Sequence, residues 1–272
     1  DPFFVVERGA RVDTGVLVHP SWIAWVQRQL LLRAGKLAPG GAWAGPRAQG
    51  VADGMRFLIT TAPYSRDGGT LAIRMLPARW RTLDDLVQGA TLSRDAAELL
   101  LAALEHGASV LVAGATGSGK TTLTAGFTQE LGRRHRLIFV EDGGELPRAA
   151  DSVHLEVSSE EPGAFGRAVK DTLRMKPSYI VVGEVRGGEA MAMLQAAATG
   201  HPGIGTIHAT NVQGALRNLE RMGMLGLAAE AGGGGQSAAA IVRGLLTSDA
   251  VNLVVAQIGK TARGRRSLLA VE

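Results

Sequence analysis

The chain of 272 residues has no cysteine, which excludes disulfide bonds and zinc sites made of thiolates. It also lacks a run of about eighteen apolar residues and a signal peptide, and these absences favour a soluble cytoplasmic protein. Charge is nearly balanced, because 29 Lys and Arg residues face 25 Asp and Glu residues, a net charge of +4. This excess is too small to argue for a nucleic-acid-binding protein, and a local basic face is the alternative that stays open.

The length is sufficient for two domains with separate cores, because single cores rarely grow beyond about 250 residues. Residues 1–77 mix helix and strand patterns and predict a small α+β domain. A helix is expected from Pro20 to Gly35, with its tryptophans in the core, and then a loop or weak hairpin over 37–54. Two strands are expected at 55–61 and 70–76. Because Asp1 leads directly into an apolar run, we expect the natural N-terminus to lie upstream of it.

Residues 78–92 are interpreted as a linker, although Thr82 with Asp85 indicates the start of a helix there. Residues 93–272 are interpreted as a larger α/β domain that begins with a helix from Ser93 to Glu105. From Ser109 onwards strand and helix patterns alternate, which is typical of a mostly parallel sheet with helices on its faces. The expected strands are 109–113, 136–140, 153–157, 179–183 and 204–207. The expected helices are 119–131, 162–175, 188–199, 212–224 and 236–247. A glycine connector at 232–235 and a closing hairpin of 251–256 with 267–271 complete the prediction.

One stretch of the larger domain, Ser109 to Thr122, joins an apolar strand to a glycine-rich turn and a helix. Within it Gly114, Gly119, Lys120 and Thr121 satisfy the pattern G-x-x-x-x-G-K-[ST]. Glycines let the backbone curl around a phosphate, while the lysine reaches the phosphates and the threonine hydroxyl holds Mg²⁺. A glycine-rich turn without a ligand is the alternative. The expected binding residues are Gly114, Ala115, Thr116, Gly117, Ser118, Gly119, Lys120, Thr121 and Thr122.

Acidic residues follow two of the expected strands. L-I-F-V-E-D-G-G-E places Glu141 and Asp142 at the end of the second strand, and Y-I-V-V-G-E-V-R places Glu184 at the end of the fourth. Ligands of open α/β sheets collect at the carboxyl ends of the strands, so these acids are expected to face the phosphate loop. There they would hold Mg²⁺ together with Thr121, and Glu184 or Glu141 would activate the attacking water. Ordinary surface acids are the alternative.

Two histidines, His201 and His208, flank the fifth expected strand in T-G-H-P-G-I-G-T-I-H-A-T. Their spacing does not match a metal-binding pair, and the sequence offers no evident third ligand. Either histidine could hydrogen-bond a γ-phosphate or its water and report the state of the nucleotide. An ordinary loop histidine is the alternative in both cases.

These motifs follow one another in a characteristic order. After the phosphate loop come E-D-x-x-E-L, then L-R-M-K-P-x-x-I-V-V-G-E-V-R-G, then T-G-H-x-x-x-x-T-I-H-A. This order resembles that of the secretion and type IV pilus traffic ATPases over roughly residues 50 to 260. R-F-L-I-T-T-A-P, T-L-A-I-R-M and T-L-D-D-L-V-Q-G are most similar to CpaF-type ATPases of Tad pili and to ATPases of type IV secretion or conjugation.

The resemblance implies a homo-hexameric ring in which a PAS-like N-terminal domain and a RecA-like ATPase domain hold ATP and Mg²⁺. It assigns Gly114 to Thr122 to the Walker A motif and Glu141, Asp142 and Glu145 to the Asp box. Glu184 then belongs to an atypical Walker B motif and the two histidines to the His box. The implied partners are inner-membrane platform or secretion-channel proteins, with the ATPase in the cytoplasm, peripheral to that membrane.

Residues outside the main motifs both extend and limit the resemblance. Arg56 and Arg74 stand where the family has N-domain arginines that approach the phosphates on ring closure. Asn218 stands where the family often has arginine, and Leu155 to Ser158 lack the arginine of the usual L-E-T-R. The missing cysteines exclude the tetracysteine zinc site of many pilus-assembly and type II secretion ATPases.

The sequence therefore predicts a Mg²⁺-dependent ATPase that drives a pilus or secretion machine. A DNA-translocating RecA-type ATPase is one rival, although no basic stretch interleaved with aromatic residues is present. A nucleotide-binding scaffold without turnover is another, and an α/β domain that binds no nucleotide is the simplest alternative. The particular machine stays open at this stage.

Overall fold

The computed structural model describes residues 3–7, 11–43, 45–66, 69–158, 161–231, 235–262 and 264–272. The chain divides into two compact units, Asp1–Ala78 and Arg79–Glu272. No helix in these ranges is long and apolar enough to cross a membrane.

In its described residues, the first unit contains two antiparallel sheets and one helix. Leu30 and Leu31 of the helix pack with Phe57 and Ile59 of the larger sheet to form its core. The smaller sheet pairs β1 with β2, and the larger has the order β3-β4-β5. The elements are β1 (Phe3–Glu7), β2 (Arg11–Leu17), α1 (Pro20–Arg33), β3 (Arg47–Ala52), β4 (Met55–Thr60) and β5 (Thr70–Met75).

Two expectations for this unit are wrong. β3 is a regular strand paired with β4 along its whole length, where the sequence predicts a loop or a weak hairpin. Its residues R-A-Q-G-V-A give little apolar alternation, so the neighbouring strand and not the local pattern makes it a strand. Trp22 and Trp25 are 51% and 58% exposed, because the leucines in the second half of α1 fill the core instead.

The second unit alternates strands and helices. It contains one seven-stranded sheet, and seven helices surround this sheet in the described part of the unit. The elements are α2 (Leu83–Gln88), α3 (Arg94–Glu105), β6 (Ser109–Gly114), α4 (Lys120–Leu131), β7 (Leu137–Glu141), β8 (Ser152–Glu156), α5 (Ala164–Thr172) with a 3₁₀ turn (Leu173–Met175), β9 (Tyr179–Val185), α6 (Glu189–Ala198), β10 (Gly203–His208), α7 (Val212–Ala231), α8 (Gly235–Leu246), β11 (Leu253–Lys260) and β12 (Arg266–Val271).

The sheet has the order β12-β11-β6-β10-β9-β7-β8, and all its strands are parallel except β12. The five expected strands, the five expected helices and the closing hairpin are all present, which confirms the α/β prediction. α7 continues to Ala231, beyond its expected end at 224. Residues 232–234 of the expected glycine connector lie outside the described residues, and Gly235 already belongs to α8.

The sheet is buried on both faces, and β6 shows how. Val110 and Val112 belong to one apolar core, with residues of α2, α3 and α4, while Leu111 and Ala113 belong to the other, with residues of α5 to α8. This alternation is the period-2 geometry of a strand between two layers. The segment 78–92, interpreted as a linker from the sequence, contains α2, whose Leu83 and Leu86 lie in the first of these cores.

A close approach between α7 and the start of α6 generates the first prediction. A Cβ atom added to Gly226 would lie 2.5 Å from the carbonyl oxygen of Gly188, a backbone atom that cannot rotate away. We therefore expect Gly226→Ala to lower the free energy of unfolding by about 1–3 kcal/mol in chemical denaturation. Gly166→Ala on α5 is the control, because no atom lies within 4 Å of that Cβ position, and it should be neutral or stabilise by up to about 1 kcal/mol. Equal effects of the two changes would contradict the prediction.

Candidate active site

The phosphate loop connects a buried strand to a helix. β6 is buried along its whole length and ends at Gly114, and α4 begins at Lys120. Gly117 and Gly119 have φ angles of +72° and +108°, which residues with a side chain rarely adopt. Ala115, Thr116 and Gly117 are exposed, so the middle of the loop is accessible to a ligand.

Gly114 is required for a different reason, which is space. A Cβ atom at this position would lie 2.4 Å from the carbonyl oxygen of Ile258 and 2.4 Å from Oγ of Ser118. The Ser118 side chain is buried, and its hydroxyl makes no hydrogen bond within the described part of the chain. The loop therefore packs tightly against β11 at its first residue.

Lys120 points back along the loop that precedes it. Its Nζ donates hydrogen bonds to the carbonyl oxygens of Gly114 (2.9 Å) and Ala115 (3.2 Å). Burial lowers the pKa of Lys120, the charge of Glu184 acts in the opposite direction, and the charge of Arg186 lowers it further. A partly buried cation without a full counter-charge, next to exposed loop backbone, favours the binding of an anion.

The first turn of α4 completes the anion site. Thr121 and Thr122 are half-buried there, and the N–H groups of a helix N-terminus attract phosphate. Within the described ranges, no group of three His, Asp or Glu side chains is arranged to hold a metal ion. The expected role of Thr121, Glu141, Asp142 and Glu184 as ligands of Mg²⁺ stays a prediction.

Glu184 and Asp142 lie at the carboxyl edge of the sheet and share one cation, Arg186. Nη2 of Arg186 is 2.5 Å from Oε2 of Glu184, and Nη1 is 3.9 Å from Oδ2 of Asp142. The hydrogen bond to Glu184 is the main cause that raises the pKa of Arg186. Because Glu184 also acts on Lys120, these residues form one connected group of charges beside the phosphate loop. Sequence reasoning missed Arg186, although its position two residues after Glu184 was a usable signal.

The carboxylate of Glu141 contacts Leu146, in the loop after β7, and His154 on β8. Glu141 is 5% exposed. Its Oε1 accepts a hydrogen bond from the N–H of Leu146 (2.9 Å), and its Oε2 lies 3.4 Å from Nδ1 of His154. His154 in turn stacks on Phe139, with ring centroids 4.1 Å apart. In this arrangement the carboxylate of Glu141 anchors the loop after β7.

The two histidines, His201 and His208, lie at opposite ends of strand β10. His208 ends β10 and is the register partner of Gly114 on β6, so it is exposed next to the phosphate loop. His201 precedes β10, where its Nδ1 lies 3.4 Å from Oγ1 of Thr199. The strand between them spans roughly 17 Å at about 3.3 Å per residue. The expectation that His201 reaches the same phosphate is therefore not met within this chain.

Two other residues from the sequence analysis have defined surroundings. Asn218 on α7 donates a hydrogen bond from Nδ2 to the carbonyl oxygen of His208 (2.9 Å), so it holds the end of β10. Arg56 and Arg74 are register partners on β4 and β5 of the first unit, which puts both on the same face of that sheet. Their expected approach to the phosphates stays a prediction.

Arg266 also contacts the phosphate loop, and sequence reasoning missed it. Its Nε donates a hydrogen bond to the carbonyl oxygen of Gly117 (3.1 Å), across 149 residues of chain. At that separation no local pattern in the sequence could indicate the contact.

A buried parallel strand that runs into a glycine loop and a helix, with Glu184 near the end of a strand two positions away in the same sheet, defines a P-loop nucleotide-binding domain of RecA-like fold. The profile of the family described as "Type II/IV secretion system protein" matches residues 48–259. The chain belongs to this family.

Solved structures agree with this assignment. The VirB11 ATPase of the Brucella suis type IV secretion system, solved with sulphate, superposes with a TM-score of 0.55 and 27% identity over 84% of this chain and 73% of that one. The ATPase DotB of Legionella pneumophila has a TM-score of 0.58 and 25% identity over 79% of this chain and 57% of that one. Both confirm the fold class.

Curated relatives point in the same direction. The probable conjugal transfer protein TrbB of Sinorhizobium fredii is 37% identical over 201 residues, 72% of this chain and 58% of that protein. The type IV secretion system protein PtlH of Bordetella pertussis is 40% identical over 135 residues, 47% of this chain and 40% of that protein. The chain spans 49–60% of the length of the first curated relatives that it matches.

The crowding at Gly114 generates the second prediction. We expect Gly114→Ala to destabilise the second unit by about 1–3 kcal/mol and to weaken binding of a fluorescent ATP analogue, because the loop must move away from Ile258. Gly117→Ala is the comparison: its Cβ position has no neighbour within 4 Å, so only the left-handed backbone opposes it, at a cost of about 1–2 kcal/mol. Thermal unfolding and titration of the analogue measure both effects. Wild-type binding by Gly114→Ala would contradict the prediction.

Proposed function

We propose that this chain is an ATP-hydrolysing, Mg²⁺-dependent motor subunit of a type IV secretion or conjugation machine. One observation carries the enzymatic part: the loop that ends β6 leads to Lys120, and Glu184 lies near the carboxyl end of β9, two strands away in the same parallel sheet. Family membership supports the class of motor. The names of the relatives, conjugal transfer and type IV secretion proteins, favour these machines over Tad pili.

In the proposed binding step, Lys120 exchanges its two loop carbonyls for the β- and γ-phosphates. The exchange is favourable because a charge-assisted hydrogen bond to a phosphate replaces two bonds to neutral acceptors. The backbone N–H groups at the start of α4 bind the same phosphates, and the Thr121 hydroxyl holds Mg²⁺. When bound, Mg²⁺ neutralises charge that develops on the phosphate oxygens.

In the proposed hydrolytic step, Glu184 orients a water molecule and accepts its proton. The water oxygen bonds to the γ-phosphorus as the bond from phosphorus to the bridging oxygen breaks, which yields ADP and phosphate. Arg186 is a positioning residue in this scheme, because its hydrogen bond holds the Glu184 carboxylate in place near the end of β9. Glu141 supports the site indirectly, through the loop that it anchors.

Other proposed contributions rest on the resemblance. Arg56 and Arg74 would reach the phosphates when a ring of subunits closes, and arginines of this kind accelerate phosphoryl transfer about 10³- to 10⁵-fold. His208 stands at the phosphate loop, where it could respond to the γ-phosphate. We further propose cytoplasmic action at the inner membrane, on platform or channel proteins.

A matched pair of variants tests which acid activates water. Glu184→Gln should retain binding of a fluorescent ATP analogue while Mg²⁺-dependent phosphate release falls about 10²-fold or more, because the amide cannot accept the proton. Glu141→Gln should act mainly on thermal stability, since it weakens the contacts to Leu146 and His154. Lys120→Ala should abolish both binding and turnover and provides the reference for a disabled site. If Glu141→Gln lost phosphate release and Glu184→Gln kept it, the residue that activates water would be Glu141. ATP turnover by Lys120→Ala would refute the proposed active site.

The proposed ring is tested by particle mass. Mass photometry of the purified full-length protein with ATP and Mg²⁺ should show a species of six subunits, because the proposed motor acts as a homo-hexameric ring. The Glu184→Gln variant should accumulate that species, since it binds ATP and hydrolyses it slowly. Monomers alone at micromolar protein with saturating ATP would contradict the hexamer.

A further inference from the structure

The hairpin of β11 and β12 extends past the edge of the sheet beside the phosphate loop. Gln257 of β11 pairs with Ala113 of β6, so Ile258 is level with Gly114 and the strand continues to Lys260. Arg266, the first residue of β12, pairs with Lys260. The hairpin thus places the charged side chain of Arg266 near Gly114, the residue at which β6 ends.

Three glycines of the loop lie against this hairpin. The backbone carbonyl oxygen of Ile258 occupies the space beside Gly114. The side-chain Cδ1 of Ile258 lies 3.3 Å from the place that a Cβ atom on Gly119 would take. Cδ of Arg266 lies 3.2 Å from that same position, and its Nε binds the carbonyl oxygen of Gly117. The hairpin is therefore one wall of the phosphate loop.

The strand order decides which part of a nucleotide faces this wall. Glu184 is on β9, which lies beyond β10 on one side of β6, and β11 lies on the other side. Under the proposed function, the γ-phosphate must be near Glu184, because that residue activates the attacking water. The chain of phosphates then runs across the loop, and its nucleoside end points toward the hairpin.

We propose that Arg266 binds the α-phosphate of the nucleotide, and that the β11–β12 hairpin forms the nucleoside side of the site. The inference rests on the proposed function and extends it to a residue outside the sequence motifs. Only Nε of Arg266 makes a hydrogen bond within the described residues, so its terminal amino groups can bind phosphate oxygens while Nε holds the loop. The α-phosphate is common to ATP and ADP, so Arg266 should strengthen the binding of both and leave the chemical step unchanged.

Arg266→Ala tests the proposal in the full-length protein. We expect the Kd values of fluorescent ATP and ADP analogues to rise together by about tenfold, with a matching rise in KM and kcat within about twofold of wild type. Arg265→Ala is the matched control, because it removes the neighbouring exposed arginine, which makes no described contact with the loop. It should leave binding unchanged.

A second pair of variants separates phosphate binding from support of the loop. Arg266→Gln retains a donor for Gly117 but loses the charge, so it should weaken nucleotide binding as alanine does, whereas Arg266→Lys should recover part of it. Wild-type nucleotide affinity in Arg266→Gln would mean that Arg266 only supports the loop. A fall in kcat at unchanged KM in the Arg266 variants would mean that the arginine acts on the γ-phosphate. Either result overturns the proposal. These two variants carry the test if alanine prevents folding. Unchanged affinity in all Arg266 variants, with binding lost in Lys120→Ala, would reject this inference alone, whereas a wild-type protein that binds no ATP would reject the proposed function.

Discussion

The complete burial of β6 constrains everything at the candidate site. This strand lies between β10 and β11 with an apolar core on each face, so its position and direction are determined by packing on four sides. The chain leaves it at Gly114, where the Ile258 carbonyl leaves no room for a side chain. The shape of the phosphate loop therefore follows from the packing of the sheet, before any ligand binds.

The charges at the carboxyl edge are arranged around two cations with different tasks. Arg186 pairs with the carboxylates of Glu184 on β9 and of Asp142, which directly follows the adjacent strand β7. In the described part of the chain, the hydrogen bonds of the Lys120 ammonium group go to the carbonyl oxygens of Gly114 and Ala115, and burial disfavours its charge. An anion that binds at the loop can therefore replace the carbonyl partners of Lys120, while Arg186 already holds the Glu184 carboxylate in place. Groups positioned before a ligand binds are the preorganisation expected of a phosphoryl-transfer site.

Contacts between neighbouring elements adapt the shared fold in this chain. The side chain of Asn218 bonds to the carbonyl of His208 and so ties α7 to the strand beside the loop. The Glu141–His154 pair ties β7 to β8 and anchors the following loop through Leu146. Both contacts use polar groups to hold backbone near the site, so the loops around the phosphate are supported from outside the motifs.

The order of strands and helices, the glycine positions of the loop and the acid ending β9 could all be predicted from the sequence, because alternation, helical periodicity and turn chemistry act over a few residues. The exposure of Trp22 and Trp25, the strand character of β3 and the withdrawal of Glu141 into a contact with His154 could not. The sequence by itself determined that a phosphate loop ends a buried strand, since that signal is local. Only the tertiary structure decided which distant groups reach the loop, because the contact between Arg266 and Gly117 exists only once β11 pairs with β6.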